Sequence, residues 1–145
     1  MEPLCEPWAL RIIWHSHPQL PACTALAEHP QCPQDILAQL AVHRSYNVRQ
    51  AVAFNFHTPP QTLEQLAGEF PAHVAQRGSQ CPPRLLVQLA GHDDYWVRRA
   101  VAENHSCPPE VLANLVNDPD PWVRSTALKN LNLPEEYRVL AKVAQ

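Results

Sequence analysis

Lysine, glycine and long apolar runs are scarce in this sequence. Two lysines accompany nine arginines, and 14 acidic residues bring the net charge to −3. No block of like charge occurs. The concentrated basic face that grips a phosphate backbone is therefore missing, and nucleic acid is not expected as the main partner. No run reaches the roughly 18 apolar residues of a membrane span, so no membrane association is expected either. The opening "MEPLCEPWALRIIWHSHP" is acidic before a short apolar stretch, unlike a secretory signal. Five cysteines, an odd number, exclude a complete disulfide framework and point to a reducing, cytoplasmic setting. Cys-x-x-Cys, His-Glu-x-x-His and glycine-rich phosphate loops are all absent. On these grounds no catalytic, metal or cofactor residue is nominated, and no enzymatic activity is expected.

What the sequence does have is proline in register. Sixteen prolines with only three glycines, in a chain that is 46% apolar, are not the composition of disorder. Prolines 7, 33, 59, 82, 108 and 134 open matching segments, spaced 26 residues apart except for the 23 between Pro59 and Pro82. The segments opened by Pro33, Pro82 and Pro108 carry apolar residues three, four and seven places after the proline, as in Ile36, Leu37 and Leu40 or Val111, Leu112 and Leu115. That is one face of a short helix, and proline suits its first position, where no backbone donor is needed.

A second element follows in "SYNVRQAVAFN", "DYWVRRAVAEN" and "DPWVRSTALKN". Ser45, Asp94 and Asp120 stand where a side-chain oxygen caps a helix start. Asn55, Asn104, Asn130 and Gly78 stand at the far end and are expected to take the left-handed conformation that closes a helix. Each segment is thus a helix pair that buries its apolar face only by stacking on its neighbours. The expectation is an all-α, single repeat domain over residues 1–145. Its pairs are 7–32, 33–58, 59–81, 82–107 and 108–133, and a capping helix spans 134–145. Glu135 and Glu136 at that helix's start and Lys142 near its end suit the helix dipole. The missing three residues of repeat three are placed just before Gly68, so local irregularity is expected there. The atypical first and last segments are read as the ends of the array.

The strings "LAGHDDYWVRRAVAENHSCPPEVLANL" and "LVNDPDPWVRSTALKNLNLPEE" resemble the leucine-rich repeat variant family, a HEAT-like α-solenoid. The resemblance covers nearly the whole chain and implies a right-handed superhelix of α and short 3₁₀ or α helices. Some members of that family carry a cysteine-rich iron–sulfur segment ahead of the repeats. Here Cys5 is the sole cysteine before the first repeat, so that cofactor is not carried over.

Cys32, Cys81 and Cys107 each precede a repeat-opening proline, a slot that Thr58, Leu133 and Glu6 also occupy. Packed helices lie about 8–10 Å apart, too far for neighbouring slots to share a disulfide or a zinc ion. A slot that accepts Thr, Leu and Glu is a structural one. His17, His43 and His92 share one turn position and read as loop residues. The pair His15 and His17 lacks a third ligand nearby. Arg49, Arg98 and Arg124 recur after a buried valine and are expected to pair with Asp93, Asp94, Asp118 or Asp120 rather than to form an anion-binding stripe. An aromatic ladder, Phe70, Trp96 and Trp122, follows if the deletion precedes Gly68. Pro21 and Asn47 fill that slot in earlier repeats, so the core does not require an aromatic there. Tyr95 and Arg99 flank Trp96, and Tyr, Trp and Arg dominate the energetics of protein interfaces. The function expected is a non-enzymatic scaffold or adaptor that binds a protein or peptide through Phe70, Tyr95, Trp96, Arg99 and Trp122. The alternatives are a HEAT-like nucleic-acid binder and a metal- or redox-linked accessory protein.

Overall fold

The structure is a computed structural model, and it describes residues 20–143. Cys5, Glu6, His15, His17 and the opening helix expected from Pro7 lie outside the described residues. Among the described residues there are ten α-helices, one 3₁₀ turn and no strand, so this part of the chain is all-α. Contacts divide it into two compact units, one ending at Phe70 and the other beginning at Pro71. The division falls within the shortened segment 59–81.

The first unit contains α1 (Leu20–Glu28), α2 (Gln34–Leu40), α3 (Tyr46–Phe54) and α4 (Pro60–Leu66). The second contains α5 (Pro71–Ala75), a 3₁₀ turn (Gly78–Gln80), α6 (Pro83–Leu89), α7 (Tyr95–Glu103), α8 (Pro109–Leu115), α9 (Pro121–Lys129) and α10 (Glu135–Val143). Repeat three shows the expected irregularity: its second helix shrinks to the five residues of α5.

The short helices α2, α4, α6 and α8 bury the apolar triplets that mark them in the sequence. Ile36, Leu37 and Leu40 are buried, as are Leu85, Leu86 and Leu89. In α4 the first triplet position is Thr62, also buried. Helices of seven residues are too short to persist alone in water, and each buried Leu or Ile stabilises by about 1.5–3 kcal/mol. The second helices supply the packing surface. Within the first unit α3 lies on α1, and within the second α7 lies between α5 and α9. Val48, Val52, Val97, Val101, Val123 and Ala127 form the inner faces of these helices.

The segment-opening prolines sit one place earlier than the pattern suggested. Pro33, Pro59, Pro82 and Pro108 are extended, with ψ between 138° and 150°, and act as N-cap residues. Their carbonyls accept from the amides three and four residues on. The first helical position goes to Pro60, Pro83 and Pro109, whose missing donor costs nothing there. Asp94 and Asp120 cap as expected, but Ser45 stands at the N-cap of α3 without a side-chain bond.

The asparagines correct a second expectation. Asn55, Asn104 and Asn130 have φ of −72°, −66° and −68° and are extended, not left-handed. Among the described residues only Gly78, at φ 59°, is left-handed. The asparagines instead reach back one repeat. Asn55 Nδ2 donates to the carbonyls of Ala27 (2.7 Å) and His29 (2.9 Å). Asn104 Nδ2 donates to Ala75 (2.6 Å) and Gly78 (3.2 Å), and Asn130 Nδ2 to Ala102 (2.8 Å) and Asn104 (2.9 Å). Their Oδ1 atoms accept from the amides of His57, Ser106 and Asn132. A buried amide with its donors and acceptor engaged ties one repeat to the next, and the carbonyls of Ala27, Ala75 and Ala102 that it meets are ones a helix end leaves without an intrahelical partner.

Candidate partner-binding site

Asp94 starts α7 by accepting the Trp96 amide at 2.9 Å, and Asp120 starts α9 by accepting those of Trp122 (2.8 Å) and Val123 (3.2 Å). Each tryptophan is therefore the second residue of its helix, one place before the buried valine, and it faces outward. Trp96 is 54% exposed and Trp122 66%. Tyr95 lies against Trp96 with ring centroids 5.2 Å apart, and the Arg99 guanidinium sits 5.2 Å from the Trp96 ring centroid. This cation–π contact holds the indole in place without burying it. Arg99 also pairs with Glu103 one turn on, at 3.0 Å.

Trp96, Arg99 and Glu103 follow helical spacing along one face of α7, as Trp122, Thr126 and Lys129 do along α9. Where the two helices pack, Arg99, Glu103, His105, Thr126, Lys129 and Leu131 line a groove of about 300 Å³. Four of the five nominated residues, Tyr95, Trp96, Arg99 and Trp122, thus lie on the outward side of one helix pair.

Phe70 does not join them. It is 2% exposed and packs on Tyr46 at 5.1 Å between ring centroids, inside the first unit. The register explains this. Ala75 accepts from Asn104 as Ala102 accepts from Asn130. Phe70 stands five residues before Ala75, just as Val97 stands five before Ala102. Phe70 fills the buried valine position, not the exposed tryptophan position. Ala67 is the C-cap of α4 as Ala90 is of α6, so the deletion lies after Gly68, not before it.

Two of the recurring arginines, Arg49 and Arg98, are structural. Arg49 binds the Glu69 carboxylate through Nε (2.7 Å) and Nη2 (2.6 Å), and the His43 carbonyl through Nη1 (2.7 Å). Arg98 binds Asp118 in the same bidentate way (2.8 and 3.0 Å), with Nη1 on the His92 and Asp93 carbonyls. Asp118 was an expected partner; Glu69 was not. Burial alone would raise the Asp118 pKa, but the Arg98 bonds, the Asp120 amide and the charges of Arg98 and Arg124 together hold it below its usual value. The bond from Arg49 likewise lowers Glu69.

The histidine turn position has a role that residue type alone did not reveal. Nδ1 of His43 accepts the Ser45 amide at 3.1 Å, and Nδ1 of His92 accepts the Asp94 amide at 3.0 Å. Asp118 Oδ1 does the same for Asp120 at 2.9 Å. Turn closure needs an acceptor two residues before the N-cap, and both imidazole and carboxylate supply one. The cysteine slot is fully buried. Burial pushes the Cys32 and Cys107 thiols up to about 12, so neither is a thiolate at neutral pH. Thr58 shows what the slot accepts, its hydroxyl donating to the Val52 carbonyl at 2.6 Å. Among the described residues no three of His, Cys, Asp and Glu are grouped to hold a metal ion, and no helix is long and apolar enough to cross a membrane.

Residues 95–120, which run from the start of α7 to the cap of α9, match the leucine rich repeat variant family. Comparison with curated proteins and with solved structures gave no match.

Proposed function

We propose that this chain is a non-enzymatic, cytoplasmic interaction scaffold that binds a protein or peptide through the outward face of α7 and α9. The right-handed superhelix of five repeats that the family resemblance implies belongs to the same reading. One observation carries it: two tryptophans, with Tyr95 and Arg99, are displayed at matching places that the core leaves free to vary. Asn47 stands at the same place in α3. Exposed Trp and Tyr beside Arg are the side chains that anchor protein interfaces, and Arg99 links them to the groove between α7 and α9. A nucleic-acid reading ranks second, because Arg49 and Arg98 are engaged by carboxylates and carbonyls within the chain.

The test is affinity capture from the source cell's lysate by wild-type protein and by the Trp96→Ala/Trp122→Ala double variant, with the fold of each checked by circular dichroism. A protein retained by the wild type and lost by the variant supports the aromatic anchor. Equal retention moves the site elsewhere, and no retained protein removes the reading.

A further inference from the structure

We propose that Arg124 is a docking point for an acidic segment of a partner protein, whose carboxylate completes the fork there as Asp118 completes the fork of Arg98. This rests on the scaffold reading above and names the partner's chemistry. Arg124 begins as the other two arginines do. Its Nη1 donates to the carbonyls of Asp118 (2.7 Å) and Pro119 (2.9 Å), matching Arg98 on His92 and Asp93. In Arg98 and Arg49 the remaining Nε and Nη2 close on a carboxylate twenty residues further along the chain. Twenty residues after Arg124 stands Ala144, which has none. Among the described residues no carboxylate takes the Arg124 fork.

The neighbouring joint is closed, which singles this one out. The Asn130 carbonyl occupies the place at which the Asn104 carbonyl receives Asn130, and Arg138 Nη2 fills it at 2.6 Å. So α10 supplies the substitute for the missing asparagine but not for the missing acid. Nearby acids do not block the fork. Asp118 is held by Arg98 and the Asp120 amide, and Asp120 by the amides of α9. Arg98 keeps its bidentate partner although Asp93 and Asp120 also act on it. A guanidinium pre-aligned by two carbonyls is matched to a carboxylate's two oxygens.

The probe is a dye-labelled peptide copying residues 116–133 of this chain, the segment that fills the Arg98 fork, read by fluorescence anisotropy against the full-length protein at low salt. We expect saturable binding, weakened about tenfold by Arg124→Gln and equally by Asp118→Asn within the peptide, with no further loss when the two are combined. Arg124→Lys, which keeps the charge and loses the fork, should behave like Arg124→Gln. No saturable binding at millimolar peptide, or equal binding to wild type and Arg124→Gln, overturns the proposal. Val87→Ala, a change at an exposed position of α6, should leave this binding unchanged. If Trp96→Ala abolishes lysate capture while Arg124→Gln leaves peptide binding intact, the scaffold stands and the carboxylate site falls.

Discussion

Asn104 Nδ2 lies 2.6 Å from the Ala75 carbonyl, so the residue that ends α7 also closes α5. Asn104→Ala would leave the Ala75 and Gly78 carbonyls and the Ser106 amide without this partner. At about 1–3 kcal/mol for each buried group left unsatisfied, with water reaching part of the gap, a loss of about 3 kcal/mol is expected in urea unfolding. Asn104→Asp should do no better, because a carboxylate accepts but cannot donate. A change under about 0.5 kcal/mol for both variants would show that the joint is ornamental.

The Arg98–Asp118 pair makes stability depend on acid. Because the folded chain keeps Asp118 ionised where the unfolded chain protonates it, the contribution is complete above the ordinary carboxylate range. It is lost as pH falls through the lowered folded value. Asp118→Asn should cost about 2 kcal/mol at neutral pH, between an exposed pair and a fully buried one, and much less below about pH 3. Unfolding curves for both proteins across that range test this; a constant difference at every pH rules it out.

Aromatic exposure predicts a contrast that needs no partner. Trp122→Ala removes a ring from the surface and should change stability by less than about 0.5 kcal/mol. Phe70→Ala opens a cavity beside Tyr46 and should cost about 3–4 kcal/mol. Equal effects in thermal unfolding would contradict the register assigned to repeat three.

Cys107 should resist iodoacetamide at pH 8 in the native protein and react once urea unfolds it, as read by mass spectrometry of the peptide that contains it. Its burial and raised pKa both oppose the thiolate. Cys107→Thr should be tolerated within about 1 kcal/mol, since the new hydroxyl can donate to Val101 as Thr58 does to Val52. Rapid native labelling would place the thiol at the surface.

The apolar triplets and the Asp caps were legible in the sequence because each depends on neighbours within one or two helical turns. Ile36, Leu37 and Leu40 can face only one way once the helix forms. The asparagines were not legible in the same way. Asn tolerates the left-handed state and also binds carbonyls, and the choice between them rests on a carbonyl 26 residues or more away. The exposed pair Trp96 and Trp122 was legible from the valine beside each. Phe70 was misplaced because a deletion can be put on either side of a loop until a bond fixes the register. Arg98's acid was anticipated, while Glu69 was not, because no aspartate marks that turn in the shortened segment.

The two bond families run in opposite directions. Asparagines reach backward by about a repeat, and arginines reach forward by twenty residues. Any event that copies one whole 26-residue segment in frame would therefore carry a backward hook and a forward socket with it, and the new copy would mate at both sides without a single further substitution. An array held this way can lengthen by duplication and tolerate loss only outside the forward span. Repeat three fits that rule, because its missing residues fall beyond Glu69 and leave the twenty-residue reach of Arg49 intact.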